Sequence, residues 1–170
     1  MFMTGMKPGE VYTSTDITDG RTPATGTVGT DSSGKSYVFV LVAASQNLVN
    51  GNVVTFGGST AGAPFTATIL SSAAPAPGNN TPLAVAVCSI TASASTYIWA
   101  QVYGSGNVRV TDTTASNLPL HILTPSSTPG EVRGGLATAS AYIDGLCLTA
   151  TASTATLSAC FINFPRLVAG

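Results

Sequence analysis

Charge is what this sequence has least of. Lys, Arg, Asp and Glu make up only 8 % of its 170 residues, where a soluble domain carries about 25 %. The six cations, Lys7, Lys35, Arg21, Arg109, Arg133 and Arg166, are scattered, and the net charge is −1. Phosphate binding needs several converging cations, so no nucleic-acid partner is expected. The first 34 residues set Lys7 and Arg21 against Glu10, Asp16, Asp19 and Asp31, the opposite of a DNA-binding arm. Apolar runs are also short. None approaches the roughly 18 residues of a membrane helix, and MFMTGMKPGE at the start lacks the basic and apolar regions of a secretory signal. No membrane partner and synthesis in the cytoplasm are therefore the expectations.

Chemistry-bearing residues are equally sparse. His121 is the only histidine and stands among apolar neighbours in Leu118-Pro-Leu-His-Ile-Leu123. A triad would need a nucleophile and an acid brought to it, and nothing local supplies them. There is no CxxC or HxxxH, so no zinc set is expected. Cys88, Cys147 and Cys160 each lie inside an apolar run and read as buried, reduced thiols. The seven acids form no pair suited to general acid and base. Asp144-Gly145 reads as a bulge or turn. Gly57-Gly58 and Gly134-Gly135 lack the Lys-Ser/Thr and the helix start of a phosphate loop. The expectation is a protein without catalytic residues, cofactor or metal, and so not an enzyme.

What is abundant is small and uncharged. Roughly a quarter of the chain is Ser or Thr, while 44 % is hydrophobic, so low charge here does not mean disorder. A surface of hydroxyls and small residues suits a protein packed against neighbours. Helical periodicity is nearly absent, and short alternating runs separated by turn residues predict an all-β fold. Strands are expected at 35–43, 52–56, 65–70, 83–90, 96–103, 107–111, 118–123, 142–150 and 155–164. Asn50-Gly51 and Ser105-Gly106 are read as turns, and residues 125–135 as a loop. The first strand is apolar on both faces, which predicts burial on both. The loop 73–82 (AAPAPGNNTP) separates leading strands (27–70) from a core (83–164) with the strand density of a small barrel or sandwich.

Residues 1–26 hold Pro8, Pro23 and several Gly and Thr without periodicity, and read as an extended arm. Their few apolar side chains are too few for a core. The arm is therefore expected to order only against a neighbour, with Val11, Tyr12 and Ile17 as anchors. Thr96-Tyr-Ile-Trp-Ala-Gln-Val-Tyr103 places Ile98, Ala100 and Val102 on a core face and Tyr97, Trp99, Gln101 and Tyr103 on the other. That second face suits a carbohydrate platform, a set of interface anchors, or packing beneath another layer. Tyr97, Trp99 and Tyr103 join the arm residues as candidate interface residues.

Several segments in order resemble the head decoration proteins of tailed phages, also called head-stabilising or cement proteins. They are Gly26-Thr-Val28, Ser33-Gly-Lys-Ser-Tyr-Val-Phe-Val40, Asn50-Gly-Asn-Val-Val54, Tyr97-Ile-Trp-Ala-Gln-Val-Tyr-Gly104, Val108-Arg-Val110 and Ile143-Asp-Gly-Leu-Cys-Leu148. Ala100 stands where the family pattern has Val. The resemblance implies a β-barrel or β-tulip body without catalytic residues, assembled as a homotrimer on the outer surface of the capsid. Its partners would be the major capsid protein and itself. Rival readings are a tail-tube protein, a head fibre, a carbohydrate-binding module and, last, a small hydrolase acting through His121.

Overall fold

The computed structural model describes residues 6–57, 64–70, 83–111, 123–134, 141–150 and 157–169. Among the described residues one short helix, α1 (Ser14–Thr18), precedes ten strands: β1 (Val28–Thr30), β2 (Ser36–Val42), β3 (Val53–Gly57), β4 (Thr66–Ile69), β5 (Leu83–Cys88), β6 (Tyr97–Arg109), β7 (Leu123–Pro125), β8 (Val132–Gly134), β9 (Ala141–Leu148) and β10 (Leu157–Ala169). The all-β expectation holds. The strands form one sheet in the order β1-β2-β4-β3-β5-β6-β10-β9-β7-β8, with further pairings β2–β6 and β5–β10. Pairing of β2 with both β4 and β6 bends the middle of the sheet into a partly closed ring, which stops short of a full barrel.

Alternation decides which side chains fill that ring. On β2, Val38, Val40 and Val42 point inward and meet Val54, Ala86, Cys88, Ile98 and Ala100. Tyr37 and Phe39 point the other way and are also buried, so β2 is covered on both faces as its apolar pattern predicts. A second core lies between β5, the far half of β6, and β7 to β10, with Val85, Val108, Leu123, Ile143, Leu148, Cys160 and Ile162. The leading strands and the later ones share hydrogen bonds, because β3 pairs with β5 and β2 with β6. The loop 73–82 lies outside the described residues.

Two turn readings fare differently. Asn50-Gly51 is a turn: Gly51 has φ of 85°, and the Asn52 N–H donates to the Val49 carbonyl at 3.0 Å. Ser105-Gly106, by contrast, lies within a single 13-residue strand, β6. Its first half pairs with β2 and its second half with β10. Where the partner changes, the buried Gln101 side chain donates to the carbonyls of Tyr103 (3.1 Å) and Ser105 (3.0 Å), replacing ladder bonds that the handover interrupts. Within the expected loop 125–135, the tip closes through the Ser126 N–H to the Glu131 carbonyl at 3.0 Å, and β7 and β8 form a short hairpin around it.

The N-terminal segment also departs from expectation. It is not held only by a neighbour, since residues 6–26 dock on their own body. Asp16 folds back on the start of α1: its carboxylate accepts from both the hydroxyl and the N–H of Thr13 at 2.8 Å. Tyr12 and Tyr97 exchange backbone hydrogen bonds of 2.9 and 2.8 Å, an antiparallel bridge between arm and body.

Candidate functional site

The six candidate interface residues fall into two groups on different parts of the molecule. Tyr12, Ile17, Tyr97 and Trp99 converge, together with Met6, on Phe39 and Tyr37. Phe39 is the hub. Its ring stacks on Tyr97 (centroids 5.9 Å apart, 14°), meets Trp99 at 5.1 Å, and takes Tyr12 edge-on at 5.6 Å. Trp99 is only 1 % exposed, so it is neither an external anchor nor half of a sugar platform. Its face is the packing face, and the layer over it is the chain's own N-terminal segment. Burial pushes the Tyr12 hydroxyl up from its ordinary pKa, as does the Glu10 charge, with hydrogen bonding from Trp99 acting the other way. Val11 faces outward instead and lines a cleft of about 290 Å³ with Lys7, Glu10, Tyr12, Asp16 and Arg21. Lys7 is already paired to Glu10 at 2.8 Å, so the cleft offers no uncompensated charge from that lysine.

Tyr103 belongs to the second group. It lies on the outer face of β6, edge-on to Phe161 (5.7 Å, 75°) and stacked with Phe164 (5.7 Å, 28°). All three rings reach solvent, at 36 %, 39 % and 54 % exposure. Phe161 had a signal in the sequence, since it is out of phase with the buried Cys160 and Ile162 on β10. Phe164 had none. Strict alternation from Ile162 would turn it inward, and a bulge turns it out. Pairing runs Ile162↔Leu146 and then Arg166↔Asp144, so three residues of β10 face the single Gly145 of β9. Of the bulge or turn expected at Asp144-Gly145, the structure has a bulge at this register, with the extra residues on β10 opposite Gly145. Gly145 has φ of 78° and Phe164 φ of 45°, a left-handed conformation rare for a bulky residue.

A third cluster is polar. Glu131 accepts from the Arg109 guanidinium at 3.2 Å and from the Thr111 hydroxyl at 2.6 Å. Thr111 Oγ1 is also 2.6 Å from Ser126 Oγ. Having one proton, which goes to the carboxylate, Thr111 must accept from Ser126. The Thr128 N–H donates to Ser126 Oγ at 3.0 Å. Every member is occupied and Ser126 is buried, so the network pins the hairpin loop to β6 and exposes no nucleophile.

Cys88 and Cys160 are buried, and burial pushes both thiols up to about 12. Cys147 departs from the expectation of burial: it is half-buried on the outer face of β9, opposite Phe161. All three are free. His121 lies outside the described residues. Among the described residues no three His, Cys, Asp or Glu side chains are grouped to hold a metal ion, and no helix is long and apolar enough to cross a membrane. No family model matches the chain, and no curated protein matches it either.

Proposed function

We propose that this chain is a virion structural protein, a head decoration protein that binds the outer surface of an assembled phage capsid and stabilises it by bridging capsid subunits. The observation that carries the reading is the arrangement of the segments that resemble that family. Gly26–Val28 leads into β1, and Ser33–Val40 forms the turn and β2. Asn50–Val54 runs from the turn into β3, Tyr97–Gly104 is the half of β6 that pairs with β2, Val108–Val110 spans the end of that strand, and Ile143–Leu148 lies in β9. The strands β1, β2 and β6 are hydrogen-bonded neighbours, and β10 joins β6 to β9. Three of the resembling strands, β1, β2 and β6, are therefore direct neighbours, while β9 is reached through β10, which carries no resembling segment.

The mechanism is mechanical. A protein that binds only the expanded shell stabilises that state by mass action, and repeated copies add their effects. An interface of roughly 1,600 Å² per site would suffice. Since the N-terminal segment is folded onto its own body, attachment falls to the exposed sheet surfaces rather than to a free arm. The test is co-sedimentation of the purified chain with undecorated expanded shells and with unexpanded ones. Saturable binding to expanded shells is expected. Equal recovery with both shells, or none with either, overturns the reading.

A further inference from the structure

We propose that two copies of this chain pair through the outer face of β6 and β10, with the rings of Tyr103, Phe161 and Phe164 at the centre of the contact. This goes beyond capsid binding and departs from the homotrimer that the family resemblance implies; it is measured on the free protein, so it stands or falls separately.

The first observation is Phe164. A bulky residue in the left-handed region costs of order 1–3 kcal/mol, and this one also holds its ring 54 % in water. Both features are unfavourable in an isolated subunit. The β10 bulge that produces them puts a ring outside that unbroken alternation would have turned in. Covering the ring offsets both costs, and backbone strain of this kind clusters at functional sites.

The second observation is the charge pattern. The strand residues next to the rings are neutral, Ser105 and Asn107 on β6 and Asn163 on β10, and the first charge along this face is Arg109, opposite Leu157. Its margin carries both signs, with exposed Asp144 and Arg166 as cross-strand partners beyond the bulge and Arg109 at the other end. An aromatic centre inside a charged rim is the anatomy of a protein interface. A rim of mixed sign opposes a copy of itself without net repulsion, which suits a two-fold contact in which the same patch serves both subunits. A saccharide fits less well. The rings meet at 75° and 28° and form a knob, where a sugar platform wants coplanar faces. A trimer through this patch would need a different surface to receive it. Among the described residues, the other exposed large apolar side chains (Val11, Val28, Val49 and Phe65) form no second ring cluster. A stable pair buries roughly 800 Å² per partner, so the rings are its centre and the neutral strand residues its surround.

The experiment is sedimentation of the full chain from 1 to 100 µM, beside Phe164→Asn and Phe161→Ser. Asn tolerates left-handed backbone, so Phe164→Asn should be at least as stable to urea as the parent. Its pairing should nevertheless weaken more than tenfold, and that of Phe161→Ser likewise. Unchanged emission from Trp99, which lies in the other aromatic group, shows that each variant is folded. Cys147, opposite Phe161, supplies the second reading: its labelling by a thiol reagent should slow as the parent pairs, and should not slow in Phe164→Asn. A parent that is monomeric throughout overturns the proposal, including one whose tyrosine emission responds to neutral oligosaccharides. So does a trimeric parent, equal pairing in the variants, or Cys147 labelling that ignores pairing.

Discussion

Gly145 shows how much one position can decide. Its φ of 78° suits glycine, and a Cβ there would run into the Asn163 carbonyl and the Pro165 backbone. Neither obstacle is a flexible side chain that could swing away. Gly145→Ala should therefore lose about 1–3 kcal/mol of stability in urea unfolding. Gly57→Ala is the control, since a Cβ there meets nothing and φ is not left-handed; it should change stability by less than about 0.5 kcal/mol. Equal losses in the two would show that the bulge is not under this constraint. Asp144-Gly145 was legible as a bulge or turn because only glycine is at ease where a strand must kink. The outward turn of Phe164 was not legible, because a bulge resets the alternation by an amount that depends on the partner strand. Trp99 failed for a related reason. Alternation tells which residues share a face, but not what covers it, and here the cover comes from residues some 85 positions earlier in the chain.

At the level of elements, β2 illustrates what local pattern can carry. Six successive residues, Tyr37 to Val42, apolar on both faces predict a strand with a layer on each side, and both layers exist: the ring interior and the docked N-terminal segment. The pattern could not say that the second layer would be the arm, whose few apolar residues seemed too few to dock alone. They suffice because they do not build a core; they complete one already presented by Phe39, Tyr97 and Trp99. Helix α1 was missed because a helix of five residues has too few turns to show periodicity. Deleting residues 1–20 should consequently destabilise the body rather than leave it untouched. Loss of Met6, Tyr12 and Ile17 from partly buried positions removes about 2–4 kcal/mol. Because Trp99 is the only tryptophan, its emission should shift to the red as the cover is removed. An unshifted spectrum with unchanged urea midpoint would mean that the segment does not dock in solution. Ser105-Gly106 was misread for the opposite reason. Its residues favour a turn, but seven successive pairings with β10 hold β6 straight through them, an override of local preference by tertiary pairing.

For the molecule as a whole, scarcity of charge confines the pH response to one side. The few surface carboxylates that shift are local. Asp31, for example, is raised by partial burial but more than compensated by hydrogen bonds from Ser33 and Lys35, and its pKa is lowered overall. The larger effects lie at high pH, in groups buried as neutral acids. Burial holds Cys88 and Cys160 at about 12 against an ordinary 9.0. Burial, with the Asp31 charge as a smaller contribution, holds Tyr37 at about 12 against 10.0. In each case the folded protein keeps a proton that the unfolded chain gives up first. The stabilisation is therefore complete below the unfolded value and drains away as pH rises toward the folded one. Urea midpoints under reducing conditions should be nearly level up to about pH 9, then fall steeply between 9 and 12. Each such thiol shifts the folding equilibrium by about tenfold per pH unit across that window. Cys88→Ala removes one of the titrating groups and leaves a small cavity. It should start from a lower midpoint at pH 8 and decline less steeply above pH 9, so that the two curves converge at the alkaline end. Curves that stay parallel would show that Cys88 ionises as easily folded as unfolded, and that the ring around it admits water.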